Sequence, residues 1–195
     1  MGEDSRAALR RFREEHAQVF AMLWRRLGEF DLVDASLADA YYAALASWEG
    51  GVPHNPATWM ATVALSATTG VVSRRGDAEP ASPIDDLRVL LWTCCHPRLA
   101  ADQRVVCLGR AGAGLMPAEL AALLGVPEAV VNARLTTAKQ LLRAGAARAT
   151  VDQAERPFRS GLVRAAIATI RAAPGDDADE VATLLEQRAD KAFVW

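Results

Sequence analysis

The sequence predicts an all-α fold of two small helical domains followed by a short helical appendage, and three observations carry that prediction. Apolar residues recur at three- and four-residue steps in block after block, and the strict alternation of a half-buried strand appears nowhere. Glycine, proline and asparagine separate the blocks at about one helix length. The 195 residues, 51% of them hydrophobic, suffice for one generous domain or two small ones with a self-supporting core.

Over 7–27 the apolar positions Phe12, Val19, Phe20, Leu23, Trp24 and Leu27 share one helix face, and Gly28 suits the C-cap. His16 is expected on the surface of this helix. Asp31 or Asp34 opens a second helix reaching Trp48, with Leu37, Ala40, Tyr41, Ala44 and Leu45 inward. Gly50-Gly51-Val52-Pro53 breaks it, and Pro56 fits the first turn of a third helix. The run GDAEPASP at 76–83 reads as a linker. It divides a first domain, 1–75, from a second, 84–150. The second holds helices at 84–95, 101–111 and 116–124, then Gly125-Val126 and a longer helix over 127–147. That last pair has a helix-turn-helix pattern, with glycine in the turn and Val130, Val131 and Leu135 facing inward. An ordinary helical hairpin is the plainer alternative. The appendage, 151–195, holds helices at 156–173 and 176–190 around Pro174-Gly175.

The net charge of −2 and a pI near 5.9 exclude a global positive field, so any nucleic-acid binding must come from a local patch. Three cysteines, two of them adjacent (Cys94 and Cys95), cannot build a secreted disulfide framework, and a cytoplasmic location is expected. The N-terminal MGEDSRAALRRFREEH lacks the apolar core of a signal peptide. One stretch stands apart. Residues 55–73, NPATWMATVALSATTGVVS, carry no charged side chain, although 24% of the chain is charged and about four or five charges are expected in such a window. Its proline, asparagine and hydroxyl residues make it a buried helix rather than a membrane span, and no membrane partner is expected.

The segments FREEHAQVFAMLWRRLGEFDLVDASLADAYYAALASW and GVPHNPATW, then DDLRVLLWTCCHPRLAADQRVVCLGRAG and GLMPAELAALLGVPEAVVNARLTTAKQLLR, carry a resemblance. They resemble, in the right order over about 10–148, the extracytoplasmic-function sigma factors of bacterial RNA polymerase. The DDLR…TCCHP box at 85–97 resembles that of one group within the family, whose members carry a long helical C-terminal extension. RPFRSGLVRAAIATI is similar to a shortened start of it. The resemblance implies a sigma domain-two-like first domain and a sigma domain-four-like second domain. It implies RNA polymerase core and promoter DNA as partners and transcription initiation as the function. The second helix would dock on the polymerase clamp through Asp34, Leu37, Asp39 and Ala40. The recognition helix would read DNA through Asn132, Arg134, Lys139 and Arg143, the last three suited to phosphates or guanine edges. Residues 116–150 carry four basic and two acidic side chains, a net of +2 and a weak electrostatic footprint.

The third helix departs from the family. The resemblance would place several arginines across positions held here by Leu65, Ala67, Val71 and Ser73; only Arg74 and Arg75 remain, followed by Asp77 and Glu79. Strand melting needs cationic contacts and stacking surfaces for flipped bases. Losing four or more phosphate contacts costs several orders of magnitude in affinity, roughly, at physiological salt. The −10 melting helix therefore reads as degenerate.

A rival function follows from the same stretch: a sigma scaffold turned to small-molecule binding or to cyclase-like pathway chemistry. Thr58, Thr62, Ser66, Thr69 and Ser73 form a hydroxyl stripe at steps of three and four. With Trp59, Tyr41, Tyr42 and Trp92, the residues Thr62, Ser66 and Thr69 are the candidates for a pocket that takes a small hydrophobic metabolite. The bland reading makes the stripe a close-packing surface and the rings core. Catalytic candidates are thin: His54 in the GVPHNP turn as an acid or base, and Asp39 and Asp85 as carboxylates. No Ser/His/Asp order, phosphate loop, GxGxxG or HExxH is present, so enzyme activity stays open. Cys94-Cys95-His96 lacks zinc-ligand spacing, and neither a metal nor any other cofactor is expected.

Overall fold

A computed structural model of the chain describes residues 3–68, 82–143 and 151–193. Among these residues the fold is all-α, with nine α-helices and no strand. The chain divides into two compact units, Met1–Asp86 and Leu87–Trp195. The boundary falls inside a helix, three residues past the expected linker, of which 76–81 lie outside the described residues. The expected appendage falls within the second unit.

The first unit packs α1 (Glu3–Leu27), α2 (Phe30–Ser47) and α3 (Pro56–Ala67) against one another. α1 buries Leu9, Phe12, Val19, Phe20, Leu23 and Trp24 along one stripe, and each such side chain contributes about 1.5–3 kcal/mol. It stops at Gly28, which takes a left-handed φ of 82° while its N–H returns to the Trp24 carbonyl at 2.8 Å. His16 corrects the expectation of a surface residue. It is fully buried, because it continues the Phe12–Phe20 stripe one turn on, with ring centroids 5.6 Å from Phe12 and 5.9 Å from Phe20. A single 3₁₀ turn, Trp48–Gly50, closes α2. Asn55 then caps α3 by accepting from the Thr58 N–H at 3.0 Å, with Pro56 in the first turn as expected. Arg25 donates from Nε to the mostly buried Asp86 carboxylate at 2.8 Å.

The second unit begins within α4 (Pro83–Cys94) and continues through α5 (Ala101–Cys107), which widens into one π-helical turn, Leu108–Gly112. This turn is buried throughout, and its loosened backbone is held at two points. Arg188 donates to the Gly112 carbonyl, and Arg110 donates from Nη1 to the Leu115 carbonyl at 3.2 Å. α6 (Pro117–Leu124) starts on a returning Glu119 carboxylate, which accepts from the Met116 N–H at 2.7 Å. Gly125, at φ 65°, turns the chain into α7 (Glu128–Leu141). α8 (Arg156–Arg171) and α9 (Ala178–Ala192) form an antiparallel pair. Arg171 bridges Asp179 and, at 2.7 Å, Glu186 on their exposed side. The turn between them presses into the end of α6: the Gly175 N–H donates to the Leu123 carbonyl at 3.0 Å. That contact explains why the expected appendage belongs to the second unit.

Candidate functional site

Of the residues expected to meet DNA, Asn132, Arg134 and Lys139 lie on α7, and Arg143 stands two positions past its last residue. Val131, Leu135, Ala138 and Leu142 face the core, and Asn132, Thr136, Thr137, Gln140 and Arg143 are exposed on the other side. Val130, expected inward, is 36% exposed, because Val131 takes the core position one residue on. Lys139 is half-buried. Arg134 is committed elsewhere, with its Nε 2.8 Å from the Asp102 carboxylate of α5. Thr136 and Thr137 donate back to the carbonyls of Asn132 and Ala133 at 2.8 and 3.0 Å, and each keeps an acceptor lone pair outward. The exposed face is therefore polar, with a cation at its C-terminal end. Its orientation is set by the glycine turn at Gly125, the Arg134–Asp102 pair and the buried stripe.

On α2, Leu37 and Ala40 are fully buried and Asp34 is buried, which leaves Asp39 as the exposed member of the set assigned to polymerase contact. The first three follow the core period of α2, so they fix the helix rather than present a surface.

The described members of the hydroxyl stripe on α3 face outward. Thr58, Thr62 and Ser66 are exposed, while Pro56, Met60, Ala64 and Thr68 take the buried face. Thr62 donates to the Thr58 carbonyl at 2.9 Å and Ser66 to that of Val63 at 2.7 Å. Thr69, like Val71, Ser73, Arg74 and Arg75, lies outside the described residues. The aromatic candidates are mostly packing groups. Tyr41 is buried edge-on to Phe12 at 5.5 Å, and Trp59 meets Trp48 edge-to-face at 5.1 Å. Trp92, in the core of the second unit, stacks on Phe193 at 5.8 Å and donates from Nε1 to the Ser160 hydroxyl at 3.3 Å. Tyr42 is 60% exposed on the surface of α2. His54, Asp39 and Asp85 are all exposed.

The TCCHP segment is a structural corner. Cys94 and Cys95 are fully buried, and burial pushes the Cys95 thiol far up, which keeps it protonated and unreactive. The His96 N–H returns to the Thr93 carbonyl at 3.1 Å, and Arg104 donates to the carbonyls of His96 and Pro97 at 3.3 and 3.1 Å. Among the described residues no group of three or more His, Cys, Asp or Glu side chains is placed to hold a metal ion. No helix among them is long and apolar enough to cross a membrane.

The sequence reading passed over Arg159 and Arg188, both buried. The signal was present. Arg159 stands four residues before Val163 and Arg188 three after Leu185, so each charge occupies a core register of its helix.

No protein-family model matches the chain, and no solved structure matches it. It is similar to an uncharacterized protein of Rhizobium meliloti (strain 1021), with 28% identity over 172 aligned positions. That match takes in 75% of this chain and 40% of the relative, so the chain spans less than half of that protein's length.

Proposed function

We propose that the chain is a sigma-factor-like regulator that binds DNA through α7 and contacts RNA polymerase through the first unit, without melting a promoter. The observation that carries the reading is the one-sided exposure of α7 after a glycine turn. A helix seated by a buried stripe, with amide, hydroxyl and cationic groups on its free face, has the donors and acceptors that a major groove reads. α3 argues for the missing melting step. Its exposed face carries no charge among the described residues, and its Thr62 and Ser66 hydroxyl protons are spent on its own backbone. Polymerase contact would rest on Asp39 and its exposed neighbours, with Leu37 and Ala40 holding α2 in place.

Two measurements on the full chain test this. Core RNA polymerase should retain the protein at physiological salt. Duplex DNA should bind weakly, with log K falling against log salt at a slope of about −2 to −3, the value for two or three phosphate contacts. If neither polymerase nor duplex DNA retains the chain at physiological salt, the reading fails. Opening of a promoter bubble by the protein with core polymerase would overturn its second half.

A further inference from the structure

The first two turns of α7 carry a chemistry of their own. Glu128 and Asn132 stand one turn apart along one side, and Ala129, Val130 and Ala133 fill the rest of the outward surface. All five are exposed. Thr137 continues the apolar side one turn past Ala133. Its hydroxyl donates to the Ala133 carbonyl at 3.0 Å, which leaves a methyl group and an acceptor lone pair for a ligand.

Residues at the N-terminal end of a recognition helix are the ones that reach base edges. There α7 presents one amide, one carboxylate and a run of methyl groups. The basic side chain of this part, Arg134, is held by the Asp102 carboxylate at 2.8 Å. Lys139 is half-buried, and Arg143 lies eleven positions past Asn132, about 16 Å along the axis. The cations therefore stand to the side of the base-reading end or beyond it.

We propose, resting on the DNA reading above, that α7 reads A·T base pairs in the major groove and rejects G·C pairs. Asn132 is the specificity-determining residue. Its Nδ2–H donates to adenine N7 while its Oδ1 accepts from the adenine N6 amine. With guanine the same Oδ1 would face the O6 acceptor, and one of the two bonds is lost. Ala129, Val130, Ala133 and the Thr137 methyl meet the C5-methyl groups of thymines, a contact that cytosine cannot return. Glu128 can only accept, so its match in the groove is an exocyclic amine and never a guanine edge. Guanine calls for a bidentate cation, and Asp102 withholds the one at this end of the helix. The Arg134–Asp102 pair thus serves base selection as well as the seating of α7.

Fluorescence anisotropy of the full chain at low salt compares duplexes that differ only in a central block of A·T, G·C or inosine·cytosine pairs. An inosine·cytosine pair has the major-groove edge of G·C and the minor-groove pattern of A·T, so it separates base reading from readout of groove shape. The A·T duplex should bind roughly 5- to 150-fold more tightly than either of the others, the discrimination of one good bidentate pair. Asn132→Ala should bring the A·T duplex down to the level of the G·C duplex. In the wild-type chain, 7-deazaadenine should weaken the A·T complex roughly 2- to 12-fold, the worth of one neutral hydrogen bond. Deoxyuridine for thymidine should weaken it about 2- to 4-fold per methyl group removed. Equal affinity for the three duplexes, with the salt slope given above, overturns this inference and leaves the DNA reading standing. So does a preference for G·C, or an inosine·cytosine duplex bound as well as A·T. Full preference retained by Asn132→Ala removes the residue on which the proposal stands and overturns it. No duplex bound even at low salt overturns both readings. If Asn132→Ala fails to fold, the 7-deazaadenine and deoxyuridine series decides alone.

Discussion

Replacing Gly175 with alanine tests how the second unit is closed. A Cβ at this position would stand 2.5 Å from Leu123 Cα, 2.8 Å from its carbonyl oxygen and 3.0 Å from its carbonyl carbon. All three are backbone atoms in the last turn of α6, which no rotamer change can move aside. Shifting them disturbs the turn as well, because Gly125 lies against Pro174, with only 2.8 Å between a notional Cβ and the proline Cγ. Relief would come from moving the 174–175 corner outward, at the expense of the Gly175 N–H bond to Leu123. Overpacking costs about 1–3 kcal/mol and the hydrogen bond about 0.5–1.5, together roughly 1.5–4.5 kcal/mol. For a unit of about 110 residues the entropy of unfolding is about 0.23 kcal/mol/K, so the melting temperature should fall by about 7–20 °C. Calorimetry of the full chain reads the shift, and hydrogen exchange in α6 and α8 assigns the transition to the second unit. Gly161→Ala is the matched control. Gly161 is exposed within α8 and has nothing within 4 Å of its notional Cβ, so that change should stabilise by about 0.5–1 kcal/mol. A Gly175→Ala shift of less than about 2 °C, or a loss of stability in both variants, would refute the argument from space.

Three further outcomes are expected. Because the folded pKa of His96 lies below its ordinary 6.5, the unfolded chain takes up the proton first. Stability should then be unaffected well above pH 6.5 and fall as the pH drops through it, and His96→Asn should flatten that limb in denaturant titrations between about pH 5 and 8. Asp102→Asn frees Arg134 from its 2.8 Å pair, so duplex DNA should bind more tightly with a salt slope steeper by about 1. Thr62→Arg combined with Ser66→Arg places two cations on the exposed face of α3. The fold should change by no more than about 0.5 kcal/mol, and affinity for single-stranded DNA should rise with a slope steeper by about 1.4.

Helix existence and order were legible because the apolar period of each block is long and its punctuation sharp. Gly28, Pro56 and Gly125 stand at the helix ends where their backbone chemistry puts them. Less legible were polar side chains set on apolar stripes. His16 follows the core register of α1, but its residue type suggested the surface, and Arg159 and Arg188 were passed over in the same way. The π turn at 108–112 was hidden too, because the contacts that accompany it, close packing at Gly109 and Gly112 and a bond from the distant Arg188, leave no periodic mark. The hydroxyl stripe shows the opposite case. A stripe of hydroxyls at helical spacing looks convergent in sequence, yet its face is decided by Met60 and Ala64, which outcompete it for the interior.

The uncharged stretch therefore has a physical reading different from either function first considered for it. On the described part of α3, the buried side holds the unit together through Met60, Ala64 and Thr68, and the outer side is made neutral by side chains that bond their own helix. Such a surface offers phosphate no cation, and the buried side of α3 serves packing. The first unit is not poor in cations, because α1 carries Arg6, Arg10, Arg11, Arg13, Arg25 and Arg26, against Arg134 and Lys139 on α7. The proposed DNA reading therefore rests on the one-sided exposure of α7 and not on a charge peculiar to the second unit.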